Sequence, residues 1–284
     1  MAVAPVGFAR YELSHDYSQQ RFGEVFTEPA AYAVLGSRRG YRNPWLLHPE
    51  LSADEQAGTV RLLVDNAVEL AAGWQADAVV VPYLAEPDLA PLAGDPRLRA
   101  HRPAGTEAVL DTRVASFDGY LARLPSKRRL SVLRERAQAR GCGLRFAIEP
   151  VGPDTAGALA GLMAQVETKY GRQVTVGGLR RYLDATFASD PHARLFTCRN
   201  SHGRLVTAAM AFEWRRALYV RATATDYGAL PEGSFAHFSV LYYEPVEYCV
   251  RRGLDTVYYG MEALQAKLLR GCQQRSLCHA LLRR

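Results

Sequence analysis

Apolar positions along this chain recur at two spacings, about 3.6 residues and two residues, and the alternation divides it into helices and strands. Tyr32 to Leu35 reads as a strand, followed by the basic loop GSRRGYRNPW and a helix from about Ser52 to Gly73. Ser52, with Glu55 three residues on, forms the signature of a capping box at that helix start. A strand at Ala78 to Leu84, a Pro-rich stretch through Pro96 and a strand near Ala108 to Thr112 complete a first half that alternates the two element types.

The second half begins near Ser116. From Ser126 to Arg140 the spacing sets Leu130, Leu133 and Ala137 on one helical stripe with arginines around the rest, and Gly141 supplies a C-cap. A strand at Leu144 to Glu149 follows, then a helix capped by Asp154 and running to Tyr170, and another at Gly178 to Ala188. Three strands, Leu195 to Arg199, Leu205 to Trp214 and Ala217 to Thr223, are separated only by short turns, so they predict an antiparallel meander. A long helix from Ser234 to Arg252 comes next, with Pro245 predicting a kink or break inside it. A short strand, Thr256 to Tyr259, leads into a last helical stretch near Glu262 to Leu269. This order suits an α+β sheet with helices on its faces.

Composition narrows the class. With 284 residues, 48% hydrophobic and 23% charged, the chain can bury a real core in one large or two modest domains. It has no apolar run of membrane-spanning length and no basic-then-hydrophobic N-terminus, so a soluble, cytoplasmic protein without membrane insertion is expected. The five cysteines are scattered, show no CxxC and no His at ligand spacing, and read as reduced thiols, with no metal site.

The net charge of +6 is unevenly placed. Leu46 to Pro96 carries nine acidic residues and one basic, whereas Arg113 to Arg145 carries nine basic residues and only two acids, Asp118 and Glu135. A local +7 of guanidinium groups, including Arg128, Arg129 and Arg134 beside Lys127, pairs with phosphates of nucleic acid or of a phosphorylated cofactor, or else is a solvated helix face. Arg38 and Arg39, in the glycine-flanked loop of the first half, could likewise grip an anion or form a solvated turn.

Three stretches carry a family resemblance: FDGYLARLPSKRRLSVLRERAQARG, ETKYG at Glu167 to Gly171, and FSVLYYEPVEYCVRRGLDTVYYGMEALQAKLLRG from Phe238 to Gly271. In order, they resemble the GNAT-like branch of Fem-type peptidoglycan-biosynthesis proteins. The resemblance covers roughly Ser116 to Cys272 and implies a GNAT-like mixed, largely antiparallel sheet flanked by helices. It also implies two GNAT-like domains, an abridged one over residues 1–115 and an acyltransferase domain over residues 116–284.

Fem-type enzymes move an amino acid from aminoacyl-tRNA onto an amine of a peptidoglycan precursor, and relatives in natural-product pathways resemble N-acyltransferases using aminoacyl-tRNA or acyl-CoA. The resemblance therefore implies amide formation from an activated donor, with tRNA as a partner, an amine-bearing small molecule or peptide as acceptor, and no separate cofactor. No GxxxxGK[ST] is present, consistent with a reaction that needs no ATP. The stretch Asp226 to His237 lacks the Q/R-x-x-G-x-G/A pyrophosphate loop usual in coenzyme-A-dependent GNAT proteins, which favours the tRNA-borne donor over acyl-CoA. A binding protein without catalysis is the remaining class.

The same resemblance places Lys267, one of only three lysines, at the reaction centre, where an ammonium can bind the donor or stabilise an oxyanion. Tyr242, Tyr243 and Tyr259, with Tyr258 beside them, can hydrogen-bond a carbonyl or act as acids. Further candidates for substrate contact are Tyr219 and Arg221, which alternation puts on one strand face, Asp226, His237 as a possible base, Glu262, Lys169 and Tyr170 of the ETKYG landmark, and Arg270. Glu213 is a candidate ion-pair partner for Arg221, and Glu244 a possible proton acceptor.

Overall fold

The computed structural model describes residues 9–12, 31–36, 42–48, 50–188 and 190–283. The chain divides into two compact units, the first comprising residues 1–107, 260–264 and 274–284, the second residues 108–259 and 265–273. The C-terminal strand thus joins the first unit, and the chain leaves that unit at Glu107, within a strand.

In the first unit, strands β1 (Ala9–Glu12), β2 (Ala31–Val34), β3 (Ala78–Leu84) and β10 (Gln273–Arg283) lie in that order. β1 and β2 are antiparallel, β2 and β3 parallel, and β3 and β10 antiparallel. Every residue of β3 is buried, which explains its unbroken apolar run. Helix α1 (Ala53–Gly73) starts with the expected capping box: the Ser52 side chain accepts from the Glu55 N–H, and the Glu55 carboxylate accepts from the Ser52 N–H at 2.8 Å. Its face of Val60, Val64, Ala67 and Ala71 packs with Val79, Val81, Ala280 and Leu282 as this unit's core.

In the second unit the end of β4 (Leu98–Asp111) pairs antiparallel with β9 (Thr256–Tyr258), and β9 pairs parallel with β8 (Ala217–Thr225). The predicted meander follows as β8, β7 (Leu205–Trp214) and β6 (Ala193–Arg199), and β5 (Arg145–Glu149) pairs with its β6 edge, all antiparallel. Helices α4 (Pro153–Lys169) and α5 (Val176–Leu183) bury Leu159, Met163 and Leu183 against Leu195, Leu205, Met210 and Ala224 on one side of this sheet. The remaining helices are α2 (Phe117–Ala122), α3 (Ser126–Gly141), α7 (Leu264–Leu268) and the long α6, built from Ala236–Phe238, a π-helical turn Ser239–Tyr243, and Glu244–Arg252. The expected α+β architecture, a mixed and largely antiparallel sheet flanked by helices, is what the structure shows.

Several local expectations are corrected. The stripe assigned to α3 is inverted: Leu130 (64%) and Leu133 (46%) are exposed, as is Ala137, whereas Val132, Glu135 and Ala139 are buried. A buried acid is tolerated there because it has a cationic partner, described below. Gly141 is the last residue of α3, and the left-handed residue is Gly143 at φ +69°. Helix α4 begins at Pro153 with Gly152 as N-cap, in place of Asp154, since a proline at the first turn lacks only an N–H that would be unbonded anyway. Helix α5 begins at Val176, where the Thr175 hydroxyl accepts from the Gly178 N–H, and its end turns π-helical over Asp184–Ala188. Strand β4 starts ten residues earlier than expected, at Leu98, and the chain closes with a strand, β10, where no element was expected. Pro245 falls where α6 passes from π-helical to α-helical bonding, so the missing N–H coincides with a change of helix type.

Candidate active site

The second unit gathers three of the predicted tyrosines, Tyr242, Tyr243 and Tyr259, around two buried cations that were themselves predicted, Lys267 and Arg270. The segment Lys267-Leu-Leu-Arg270-Gly271 closes α7 with a turn in which the Arg270 and Cys272 N–H groups both bond the Lys267 carbonyl, at 2.9 and 3.2 Å. Gly271 sits at φ +84°, and a Cβ there would lie 2.8 Å from Leu124 Cδ2, so the turn needs glycine twice over. This bend carries both Lys267 and Arg270 inward, and each is only 5% exposed.

Lys267 Nζ donates to the Tyr259 carbonyl at 2.7 Å. Tyr259 follows β9, its ring 5.2 Å from that of Tyr242 and its hydroxyl in a long 3.4 Å bond to the Tyr242 carbonyl. Burial pushes the Tyr242 phenol up to about 12 and that of Tyr259 well above the ordinary range, so both are neutral hydrogen-bonding groups at physiological pH.

Arg270 completes the cluster. Its Nη2 donates to Glu135 Oε2 at 2.8 Å, its Nε to the Tyr243 hydroxyl at 3.1 Å and its Nη1 to the Ala266 carbonyl at 2.8 Å. The Tyr243 hydroxyl in turn donates to Glu135 Oε2. The guanidinium lies over the Phe238 ring at 4.1 Å and the Tyr242 ring at 4.8 Å, a cation-π arrangement. Tyr120 donates its hydroxyl to the Arg270 carbonyl at 3.0 Å. Glu135 is the residue that sequence reasoning missed; the signal was its isolation, as one of two acids within a run of nine basic residues.

Two features of the strands open this region. β8 and β9 share a parallel ladder only over Ala217–Tyr219 and Thr256–Tyr258, although β8 continues to Thr225. Across that ladder Tyr219 and Tyr258 stack at 4.7 Å. The β7–β8 register shifts between Met210 and Ala211, whose partners are Ala222 and Val220, which makes Arg221 the extra residue of a β-bulge. Its guanidinium is 5.6 Å from the Tyr219 ring, on the face that alternation predicts.

Other predicted residues are placed differently. Glu213 does not pair with Arg221: Tyr248 donates to it, Arg252 Nη2 donates at 3.2 Å and Arg194 Nη2 lies at 3.3 Å. Asp226 is buried and braces the turn after β8, accepting from the Gly228 and Ala229 N–H groups at 3.1 and 3.0 Å and from Arg204. Lys169 Nζ caps the Tyr227 ring at 3.8 Å, while Tyr170 is exposed. Glu262 is exposed and belongs to the first unit. Glu244 is half-buried, and burial raises its carboxyl above the usual range. On α3, Lys127 and Arg134 are exposed and Arg128 and Arg129 half-buried, while Arg136 is tied to Glu247. Arg38 and Arg39 lie outside the described residues.

His237, at the start of α6, is half-buried. Its Nδ1 lies 2.9 Å from Thr225 Oγ1, which lies 2.9 Å from Thr207 Oγ1. Burial, then the charges of Lys169 and Arg270, lower its pKa to about 4, so the imidazole is neutral at pH 7.

Among the described residues no group of three or more His, Cys, Asp or Glu side chains could hold a metal ion, and no helix is long and apolar enough to cross a membrane. A depression of about 450 Å³ lined by Ile148, Glu149, Val151, Phe187, Asp190 and Arg194, among others, contains none of the candidate residues.

A family model described as FemAB-like, peptidoglycan biosynthesis/recognition, matches residues 45–281. No curated protein matches the chain in sequence. Among solved structures it is similar to L-PGS from Bacillus licheniformis, at 11% identity and a TM-score of 0.60, covering 89% of this chain and 77% of that one. It is also similar to FemX, at 12% identity and a TM-score of 0.60, covering 88% and 81%. A third is the C-terminal domain of a putative lysylphosphatidylglycerol synthetase from Agrobacterium fabrum, at 12% identity and 0.58, covering 88% and 76%. At such identities the likeness is one of fold.

Proposed function

Because this chain belongs to the FemAB-like family, we propose that it is an N-acyltransferase, moving an aminoacyl group from aminoacyl-tRNA to an amine of a small-molecule or peptide precursor. The observation that carries this reading is the pair of buried cations, Arg270 over the Phe238 and Tyr242 rings and Lys267 on the Tyr259 carbonyl, one residue past the end of the β8–β9 ladder.

The chemistry follows from the donor. The amine nitrogen attacks the ester carbonyl carbon, the carbonyl oxygen takes on negative charge, and collapse breaks the carbon–oxygen bond to the ribose. The nitrogen gives up a proton, and the ribose hydroxyl leaves carrying one. What the protein contributes is position and charge stabilisation. Lys267 supplies an ammonium whose N–H groups can stabilise the developing oxyanion. Tyr242 and Tyr259 offer neutral phenols to orient the acyl group. Arg270, engaged by Glu135 and Tyr243, holds the floor of the site. The cations of α3, with Lys127 and Arg134 exposed, provide a surface suited to a phosphate backbone.

The test is binding of the purified protein to bulk charged tRNA and, separately, to coenzyme A across a salt series, followed by transfer of labelled amino acid onto candidate amines. The expected result is tRNA affinity that falls steeply with salt, no coenzyme A binding, and RNase-sensitive transfer. Tight coenzyme A binding with weak RNA binding would assign an acyl-CoA donor. Retained ligand binding without turnover on any donor would mark a recognition protein.

A further inference from the structure

Three side chains that the reaction above does not use form a buried relay. Thr207 on β7 and Thr225 on β8 are direct cross-strand partners, both fully buried, and their hydroxyl oxygens are 2.9 Å apart. Thr225 Oγ1 is also 2.9 Å from His237 Nδ1.

Each hydroxyl carries one hydrogen and, when buried, needs an acceptor for it. Among the described residues, Thr207 Oγ1 has a single partner, Thr225 Oγ1, so its hydrogen must point there. Thr225 then accepts from Thr207, and its own hydrogen has one place left to go, His237 Nδ1. The reverse direction, with the ring donating from Nδ1, would leave the Thr207 hydrogen buried without an acceptor, at a cost of about 1–3 kcal/mol. Nδ1 is therefore the acceptor, and a neutral ring carries its hydrogen on Nε2. The structure gives Nε2 no hydrogen-bond partner among the described residues. The ring borders Tyr227 at 6.3 Å and Phe238 at 5.8 Å, the latter belonging to the aromatic row beneath Arg270.

We propose that Thr207 and Thr225 lock His237 as a neutral Nε2–H donor, which serves the acyl-transfer site by hydrogen-bonding a substrate oxygen, the acyl carbonyl or a phosphate, and not by accepting the amine proton. The functional half of this inference rests on the transferase reading; the tautomer does not. The charged groups acting on the ring, Lys169 and Arg270, are both cationic and both oppose an imidazolium, as does its burial. A group so placed is a poor proton acceptor at pH 7 and a fixed donor that needs no reorganisation during reaction.

The experiment is nitrogen NMR of the full chain with labelled histidine, the His237 signals being identified among the seven histidines by their loss in His237→Gln. The expected spectrum at neutral pH shows an unprotonated Nδ1 and a protonated Nε2, and Thr225→Val converts it to a mixture of tautomers. An Nδ1–H ring, an imidazolium or a tautomer mixture in the unaltered protein would overturn the lock. In the transfer assay, His237→Ala is expected to fall about 10²-fold, and His237→Gln, which keeps an N–H donor without the lock, to fall by clearly less. Equal loss in both variants would overturn the donor role. A chain without any transfer activity that still shows the Nε2–H ring would remove the transferase reading and leave the lock supported.

Discussion

Arg270 donates to the Glu135 carboxylate at 2.8 Å across 135 positions of sequence, and both side chains are buried. The pair joins α3 to the turn after α7, and the Tyr243 hydroxyl closes it from α6. Removing one partner strands a charge away from water, which costs more than the pair itself contributes. Glu135→Leu and Arg270→Leu are each expected to lower stability by about 3–5 kcal/mol, and the double variant by less than the sum. Urea unfolding of the three variants measures this, and simple additivity would show the pair to be uncoupled.

In the proposed chemistry Lys267 has a second role besides its bond to the Tyr259 carbonyl. Lys267→Met keeps the buried stem and removes the charge. Its expected effect is a fall of about 10²–10³-fold in kcat with binding of charged tRNA retained. Turnover and tRNA binding measured on the same preparation check it; equal loss of both would assign Lys267 to binding.

The lowered pKa of His237 makes a prediction about stability. Its value falls from 6.5 to about 4 on folding, because burial and then Lys169 and Arg270 disfavour the charged ring. Between these values the unfolded chain binds a proton that the native ring refuses, so stability falls as pH drops from 6.5 to 4, by up to about 3 kcal/mol, and this contribution levels off below. Above pH 6.5 the group has no effect. Denaturant midpoints of the parent and His237→Gln across this range should diverge in slope, the parent being the steeper.

The orientation of α3 is open to a direct check. Leu130 is exposed, so Leu130→Gln is expected to change stability by no more than about 0.5 kcal/mol, whereas Val132→Ala, at a fully buried position, costs about 1–3 kcal/mol. The opposite ranking in thermal unfolding would restore the leucine stripe to the interior.

Gly271 combines φ +84° with a Cβ position 2.8 Å from Leu124. Gly271→Ala is expected to destabilise by about 1–3 kcal/mol and, because the turn aims Lys267 and Arg270, to reduce turnover along with it. Gly141→Ala, at a helical position with open space, serves as the control and leaves both unchanged.

What the sequence determined by itself was local. The capping box at Ser52, the unbroken apolar run of β3, the meander β6–β8 and the end of α6 at Arg252 all depend on neighbours a few residues away, so spacing was enough to read them. The family resemblance of the stretch from Phe238 to Gly271 also marked the segment that supplies Lys267, Tyr242, Tyr243 and Arg270. Tertiary structure decided the rest. Leu130 and Leu133 lost the inward face of α3 to Val132 and Glu135 because a cation 135 positions away neutralises the buried acid, and hydrophobic spacing contains no information about that partner. Glu213 went to Arg194 and Arg252 in place of Arg221 for a like reason: ion pairs form between groups that the sheet and helices bring together. The role of His237 is set by two threonines whose relation to it exists only once β7 and β8 are in register, since a tautomer is chosen by the atoms around the ring and not by the residues beside it in the chain.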